Sequence, residues 1–233
     1  MKVLGIDTST SRGGVGLIDD DEVISEYLLK SPVTHSERLL AAIEIVLKES
    51  HLTPQDLDGW AVSLGPGSFT GLRIGLSAVK GLAFATEKPV AGVPTLDALA
   101  SQIAPTPYLI CPMLDARKKE IYAAFYRYGE EDHLKRLSAY QTIKPEDLIK
   151  RVEEKTIFLG EGVRTYRDDL RKALPSLAIF LSAPFNLLHG STVARLGAER
   201  LRKKEAADLA TLTPIYVRPS EAELKWREKH PAG

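Results

Sequence analysis

The sequence predicts an internally duplicated α/β fold, and three observations predict it. Residues 1–105 read as three strands, a helix, a strand, a helix, a strand and a helix. Residues 106–233 repeat that order in outline, a strand meander followed by alternating helix and strand. Pro105-Thr106-Pro107 separates the two runs, because proline fixes its own φ and lacks a donor. The expected lobes are therefore 1–105 and 106–233, with a polar tail from about residue 219. A chain of 233 residues, 44% hydrophobic and 27% charged, can supply the cores that two small lobes need.

The chain opens with Val3-Leu4-Gly5-Ile6, an apolar strand ending in Asp7-Thr8-Ser9. Two more strands follow after short turns, Val15 to Ile18 and Glu22 to Tyr27, which makes an antiparallel meander. Asp7 can face a phosphate or a hydrated cation, but its ordinary role with Thr8 and Ser9 is to end a strand and cap a turn. Thr34 and Glu37 make a capping box for a helix running to about Ser50, with Leu39, Leu40, Ile43, Val46 and Leu47 assigned to one face. His35 at its start reads as a capping or solvated side chain. Pro54 opens a short helical turn.

Trp60 to Leu64 is an apolar run of strand length, and Gly65-Pro66-Gly67-Ser68 is a turn. From about Thr70 to Thr86 the pattern becomes helical, with Ser68 and Thr70 as candidate N-caps. Gly71, Gly75, Ala78, Gly81 and Ala85 fall on one face of this helix, and Leu72, Ile74, Leu76, Val79, Leu82 and Phe84 fill most of the rest. Each interior glycine costs about 1 kcal/mol relative to alanine, so close approach of another backbone must offset it. The expectation is that Gly75, Ala78 and Gly81 lead a contact with a helix of a second subunit, flanked by Leu72, Leu76, Val79 and Leu82. Val90 to Val93 is a strand and Thr95 to Ile103 a helix.

In the second half, Tyr108 to Leu114 and Ile121 to Tyr128 read as strands, with a third near Leu134 to Ser138. A helix from Lys144, a strand at Thr156 to Gly160, a helix to Ala173, a strand at Leu177 to Leu181 and a helix from Ser191 to Lys204 follow. Val193, Leu196, Gly197 and Leu201 form the inward face of the last.

Charge and cysteine content exclude several classes. Lys plus Arg and Asp plus Glu both total 31, and zero net charge argues against autonomous nucleic-acid binding. No apolar run reaches the length of a membrane span. A single cysteine, Cys111 in an apolar run, allows no internal disulfide and reads as a buried thiol. With a strand pattern from the first residues and no leader, the expected compartment is the cytoplasm.

Two motifs carry a resemblance. Gly5-Ile6-Asp7-Thr8-Ser9 resembles the first phosphate motif of the actin, sugar-kinase and heat-shock ATPase superfamily. Gly65-Pro66-Gly67-Ser68-Phe69-Thr70-Gly71-Leu72-Arg73-Ile74-Gly75 resembles the bacterial TsaB (YeaZ) family of tRNA threonylcarbamoyladenosine biosynthesis proteins. His35-Ser36-Glu37, Gly92 to Ala100, Asp115-Ala116-Arg117 and Pro214 to Arg218 match in the same order. The resemblance implies two similar actin-like (ribonuclease H-like) lobes with mixed sheets flanked by helices. It implies a non-catalytic subunit that pairs with a TsaD-like paralogue, which transfers threonylcarbamoyl onto the adenosine beside the anticodon of tRNAs reading A-starting codons. A TsaE-like ATPase joins the complex, the subunit also forms a homodimer, and tRNA is met only through the complex. Both kinds of subunit contact use the first two long helices, which assigns Ser36, Leu39, Leu40, Ile43, Leu72, Gly75, Leu76, Ala78, Val79 and Leu82 to the interface.

The catalytic paralogue holds its metal through two histidines four apart, and Thr95 and Leu99 stand at those positions here. Neither replaces an imidazole, and no two of the five histidines lie at ligand spacing. No cofactor is required on this reading; ATP or ADP is the ligand the superfamily implies, with Asp7, Thr8 and Ser9 as its contacts. The competing reading is an ATP-binding kinase or a peptidase of the same superfamily. Its second phosphate loop would have to be Gly160-Glu161-Gly162, which carries an acid where a phosphate would sit, and neither Ser63 nor Ser68 has an assignable histidine. A stand-alone tRNA binder is the third reading, opposed by the neutral charge.

Overall fold

The computed structural model describes residues 1–30 and 35–218, and the side chains of 1–28 and 38–218. The capping box of Thr34 with Glu37, the side chain of Ser36 and the tail from 219 lie outside the described residues. The first meander forms as expected, from β1 (Lys2–Asp7), β2 (Arg12–Asp19) and β3 (Glu22–Lys30). After α1 (His35–Glu49), β4 (Gly59–Gly65) lies parallel to β1. Then come α2 (Phe69–Thr86), β5 (Val90–Pro94) parallel to β4, and α3 (Thr95–Ala100). The strand order is β3-β2-β1-β4-β5.

The second half contains β6 (Leu109–Arg117), β7 (Glu120–Ala123), β8 (Tyr126–Tyr128), β9 (Leu134–Arg136) and β10 (Gln141–Ile143). They are followed by α4 (Pro145–Ile149), β11 (Thr156–Leu159), α5 (Glu161–Ala173), β12 (Ala178–Phe180) and α6 (Gly190–Arg202). Its main path, β10-β7-β6-β11-β12, repeats the first sheet strand for strand, with the β8–β9 hairpin as an insertion. The third meander strand is β10 rather than Leu134 to Ser138. The expected single strand Ile121 to Tyr128 is broken because Phe125 turns its polar groups elsewhere. Its N–H donates to Ser138 Oγ at 3.0 Å, and its carbonyl accepts from Leu137 N–H at 2.7 Å. On either side of this break, β7 pairs with β10 and β8 with β9.

Alternation along each strand splits the core into three clusters. Leu4, Ile6, Val15 and Leu17 face α1 and α2 on the outer side of the first sheet. Cys111, Met113, Ile121 and Phe158 pack with Val163 and Leu170 on the outer side of the second. Between the sheets, Val3, Ile110 and Ile157 meet Leu96 and Leu99 of α3 and Val193, Ala194 and Ala198 of α6.

The third helix of each half thus fills the middle layer, and α6 packs on β1, β2, β4 and β5. The strands divide at 105, but the packing does not. Gly5 and Gly16 let α6 lie at backbone distance. A Cβ at Gly5 would sit 2.2 Å from the Gly190 carbonyl oxygen, and one at Gly16 2.1 Å from Ser191 N. The N-terminus of α6 is capped from β3, since Glu26 accepts from Ser191 N–H at 3.0 Å, from Ser191 Oγ at 2.7 Å, and bonds His189 Nδ1 at 2.8 Å. The bond to Glu26 holds the His189 imidazole above its ordinary value, against burial. Burial pushes the Glu26 carboxyl up, but the hydrogen bonds from His189 and Ser191 outweigh it and leave it lowered. No helix among the described residues is long and apolar enough to cross a membrane.

Candidate functional site

The β1–β2 turn and the β4–α2 loop are locked together. Ser68 caps α2, its Oγ accepting from Gly71 N–H at 3.2 Å. Ser68 N–H donates to the Ser9 carbonyl at 2.7 Å, and Thr8 Oγ1 donates to the Gly71 carbonyl at 2.7 Å. Only glycine fits at 71, because a Cβ there would lie 2.0 Å from the Thr8 carbonyl oxygen. Asp7 Oδ1 accepts from Ser9 N–H at 2.9 Å, Ser9 Oγ at 2.5 Å and Ser63 Oγ at 2.6 Å. The candidate nucleotide contacts Asp7, Thr8 and Ser9 are all buried and all engaged in holding these two loops.

Above this anchor a cleft of about 440 Å³ runs between the halves. One wall is Ser9–Ser11 with Pro66–Thr70, and the other is Asp115, Ala116, Arg117, Tyr122 and Glu161. Glu161, the first residue of α5, crosses the cleft and accepts from both the N–H and the Oγ of Ser11. The segment 207–218 straps the first half, with Ala207 N–H donating to the Val90 carbonyl at 2.8 Å and Ile215 N–H to the Leu64 carbonyl at 2.7 Å. At its end Tyr216 stacks on Phe69 with ring centroids 4.7 Å apart. The Arg73 guanidinium lies 3.9 Å from the Phe69 centroid, and Arg73 Nε donates to Tyr216 Oη at 3.0 Å. Sequence reasoning missed this strap, although Ile215-Tyr216-Val217 between Pro214 and Arg218 is a short apolar run with one aromatic and marks where it anchors.

Thr95 and Leu99, the positions where the resemblance would put metal histidines, do internal work. Thr95 Oγ1 accepts from Gly65 N–H at 3.0 Å, and Leu99 is buried in the central core. Cys111 is buried, and burial pushes its thiol up, away from nucleophilic chemistry.

The second feature is a groove of about 350 Å³ between α1 and α2, lined by Leu39, Leu40, Arg73, Ile74, Ser77 and Ala78. It corrects the expected interface. The small-residue face of α2 does not look outward as a whole. Gly71 and Gly75 face Thr8, whose Oγ1 would be 2.2 Å from a Cβ at 75. Leu72, Leu76 and Val79, with Leu39 and Ile43 of α1, are buried in the chain's own core. The reason is the loop anchor, which draws the first two turns of α2 against β1. Farther along, a Cβ at Gly81 would meet nothing within 4 Å. Leu40 is 56% exposed and Phe84 82% exposed, Ala78 is half-buried at the groove, and Leu82 is half-buried one turn beyond it. Leu40 therefore leaves the inward stripe of α1, which continues through Ala42, Ile43, Val46 and Leu47.

Residues 30–226 match the family model described as TsaD: tRNA N6-adenosine threonylcarbamoyltransferase. The tRNA threonylcarbamoyladenosine biosynthesis protein TsaB of Bacillus subtilis is 34% identical over 231 residues, covering 98% of this chain and 99% of that one. The solved structure of YeaZ from Pseudomonas aeruginosa superposes with a TM-score of 0.76 at 27% identity, covering 92% of this chain and 99% of that one. The activator of the 2-hydroxyisocaproyl-CoA dehydratase from Clostridium difficile, solved with bound ADPNP, shares the fold at a TM-score of 0.53 and 10% identity, over 93% and 100% of the two chains.

Proposed function

The chain belongs to the TsaB (YeaZ) family of tRNA threonylcarbamoyladenosine biosynthesis proteins, and on that premise we propose that it is the non-catalytic scaffold and activator subunit of the modifying complex. Its partner in catalysis is a TsaD-like paralogue, with a TsaE-like ATPase joining them in the cytoplasm. tRNA is met only through that assembly. The observation that carries the reading is the α1–α2 groove, where Leu40 stands exposed beside Ile74 and Ala78, with Phe84 exposed farther along α2. The same face serves the homodimer, so the paralogue and a second copy compete for it. Leu39, Ile74 and Ala78 complete the apolar patch, and Arg73 and Ser77 supply its polar rim.

No nucleotide is required of this subunit, although ADPNP is bound by the distant activator of the same fold. The test is reconstitution. The chain with its TsaD-like and TsaE-like partners restores modification of tRNA, the chain alone gives none, and Leu40→Glu abolishes both copurification with the paralogue and restoration. Turnover of ATP or peptide by the isolated chain would instead favour an enzyme of the same superfamily.

A further inference from the structure

We propose that Glu161 is a built-in anion, its carboxylate filling the cleft where a nucleotide phosphate would need to lie and fastening the cleft's two walls together. A cleft that grips a nucleotide offers unspent N–H groups at turns or helix N-termini for phosphate, and a reachable carboxylate for the hydrated cation. On the β1–β2 and α5 side of the cleft, this chain spends such groups on itself. Both the N–H and the Oγ–H of Ser11 donate to Glu161, joining the β1–β2 turn to the start of α5 across 150 residues of sequence. Gly160 N–H, just before that helix, donates to Asn186 Oδ1 at 3.1 Å. Asp7, the acid that ends β1, is fully buried, and its Oδ1 accepts three hydrogen bonds from serines. A phosphate brought to the Ser11 turn would meet a carboxylate already in place, and like charges at that distance repel. The Ser11 turn therefore does not fit a nucleotide phosphate while Glu161 holds it.

The surroundings suit a permanent anion. On the far side of the Ser11–Glu161 bridge lies a second cavity of about 450 Å³, whose wall includes Arg12, Arg164 and Arg167, and Glu161 is its one acidic side chain. Arg12, Arg164 and Arg167 give that cavity an excess of positive charge over its single carboxylate. Deleting that carboxylate leaves the cationic cavity unfilled. The prediction is a gain of function rather than a loss, and it stands whether or not the chain acts as a scaffold.

The full-length chain and its Glu161→Ala and Glu161→Gln variants are titrated with inorganic pyrophosphate and with Mg–ATP, and amide exchange is followed at Ser11. The wild-type chain should bind neither at millimolar concentration. Glu161→Ala should bind pyrophosphate at least tenfold more tightly than wild type, exchange the Ser11 amide several-fold faster, and lose the gained binding when Arg12→Ala is added. If the alanine variant fails to fold, Glu161→Gln, which keeps side-chain length and removes charge, is read by the same comparison. Pyrophosphate or Mg–ATP bound by wild type as tightly as by the variants overturns the proposal. So does Ser11 exchange that is unchanged when Glu161 is replaced.

Discussion

At Gly71 one methyl group sets the stability of the loop anchor. The atom it would strike, the Thr8 carbonyl oxygen at 2.0 Å, is backbone and has no rotamer to escape into. Gly71→Ala is therefore expected to lower stability by about 1–3 kcal/mol, the range for overpacking. Gly75→Leu should do the same, because Thr8 Oγ1 is held to the Gly71 carbonyl. Gly81→Ala has open space, and removing an interior helix glycine should raise monomer stability by up to about 1 kcal/mol. Urea midpoints of the three variants check this ordering. A Gly75→Leu chain as stable as wild type would place that face outside the core. The glycines were legible in the sequence as a face of close approach, but not what they approach. Spacing fixes which residues share a helix face, whereas Thr8 reaches that face only through a turn more than sixty residues away in sequence.

Among elements, α6 shows a second limit of sequence reasoning. Its inward face reads in the sequence as Val193, Leu196, Gly197 and Leu201, of which Val193, Gly197 and Leu201 are buried and Leu196 is only half-buried. Which sheet it covers was not readable, since the pattern of a helix carries no address. The strand meanders and helix order were legible because alternation and short turns are local, while the β7–β8 break depends on Ser138, a partner thirteen residues away. The cap on α6 yields a pH prediction. The raised His189 imidazole contributes stability that is fully present below its ordinary value of 6.5 and is lost as pH rises through its folded value. The lowered Glu26 carboxyl contributes stability present above its ordinary value of 4.5 and lost as pH falls through its folded value. The contact is thus strongest between those two values. Thermal melts of Glu26→Gln against wild type should show the largest difference in that window and a smaller one above it. A difference that stays flat through the His189 titration would remove His189 from the cap.

For the whole molecule, the question is which surface meets another chain. Leu40, Ile45 and Phe84 are exposed apolar side chains of α1 and α2, and each buried Leu, Ile or Phe contributes roughly 1.5–3 kcal/mol before association costs. Leu40→Glu should weaken association at least tenfold in sedimentation while shifting monomer stability by no more than about 0.5 kcal/mol, as exposed substitutions do. Unchanged association would move the interface elsewhere. The middle layer has a consequence of another kind. The first sheet is complete in sequence by Pro94, but the helix that covers its inner face does not begin until Gly190. A ribosome adding about 5–20 residues per second leaves that face incompletely covered for roughly 5–20 seconds. During that time α3 lies against β4 and β5, but the inner faces of β1 and β2 wait for α6. Birth order thus leaves the apolar inner face of the emerging first sheet incomplete until Arg202 has been made, which is the kind of transient surface that invites aggregation.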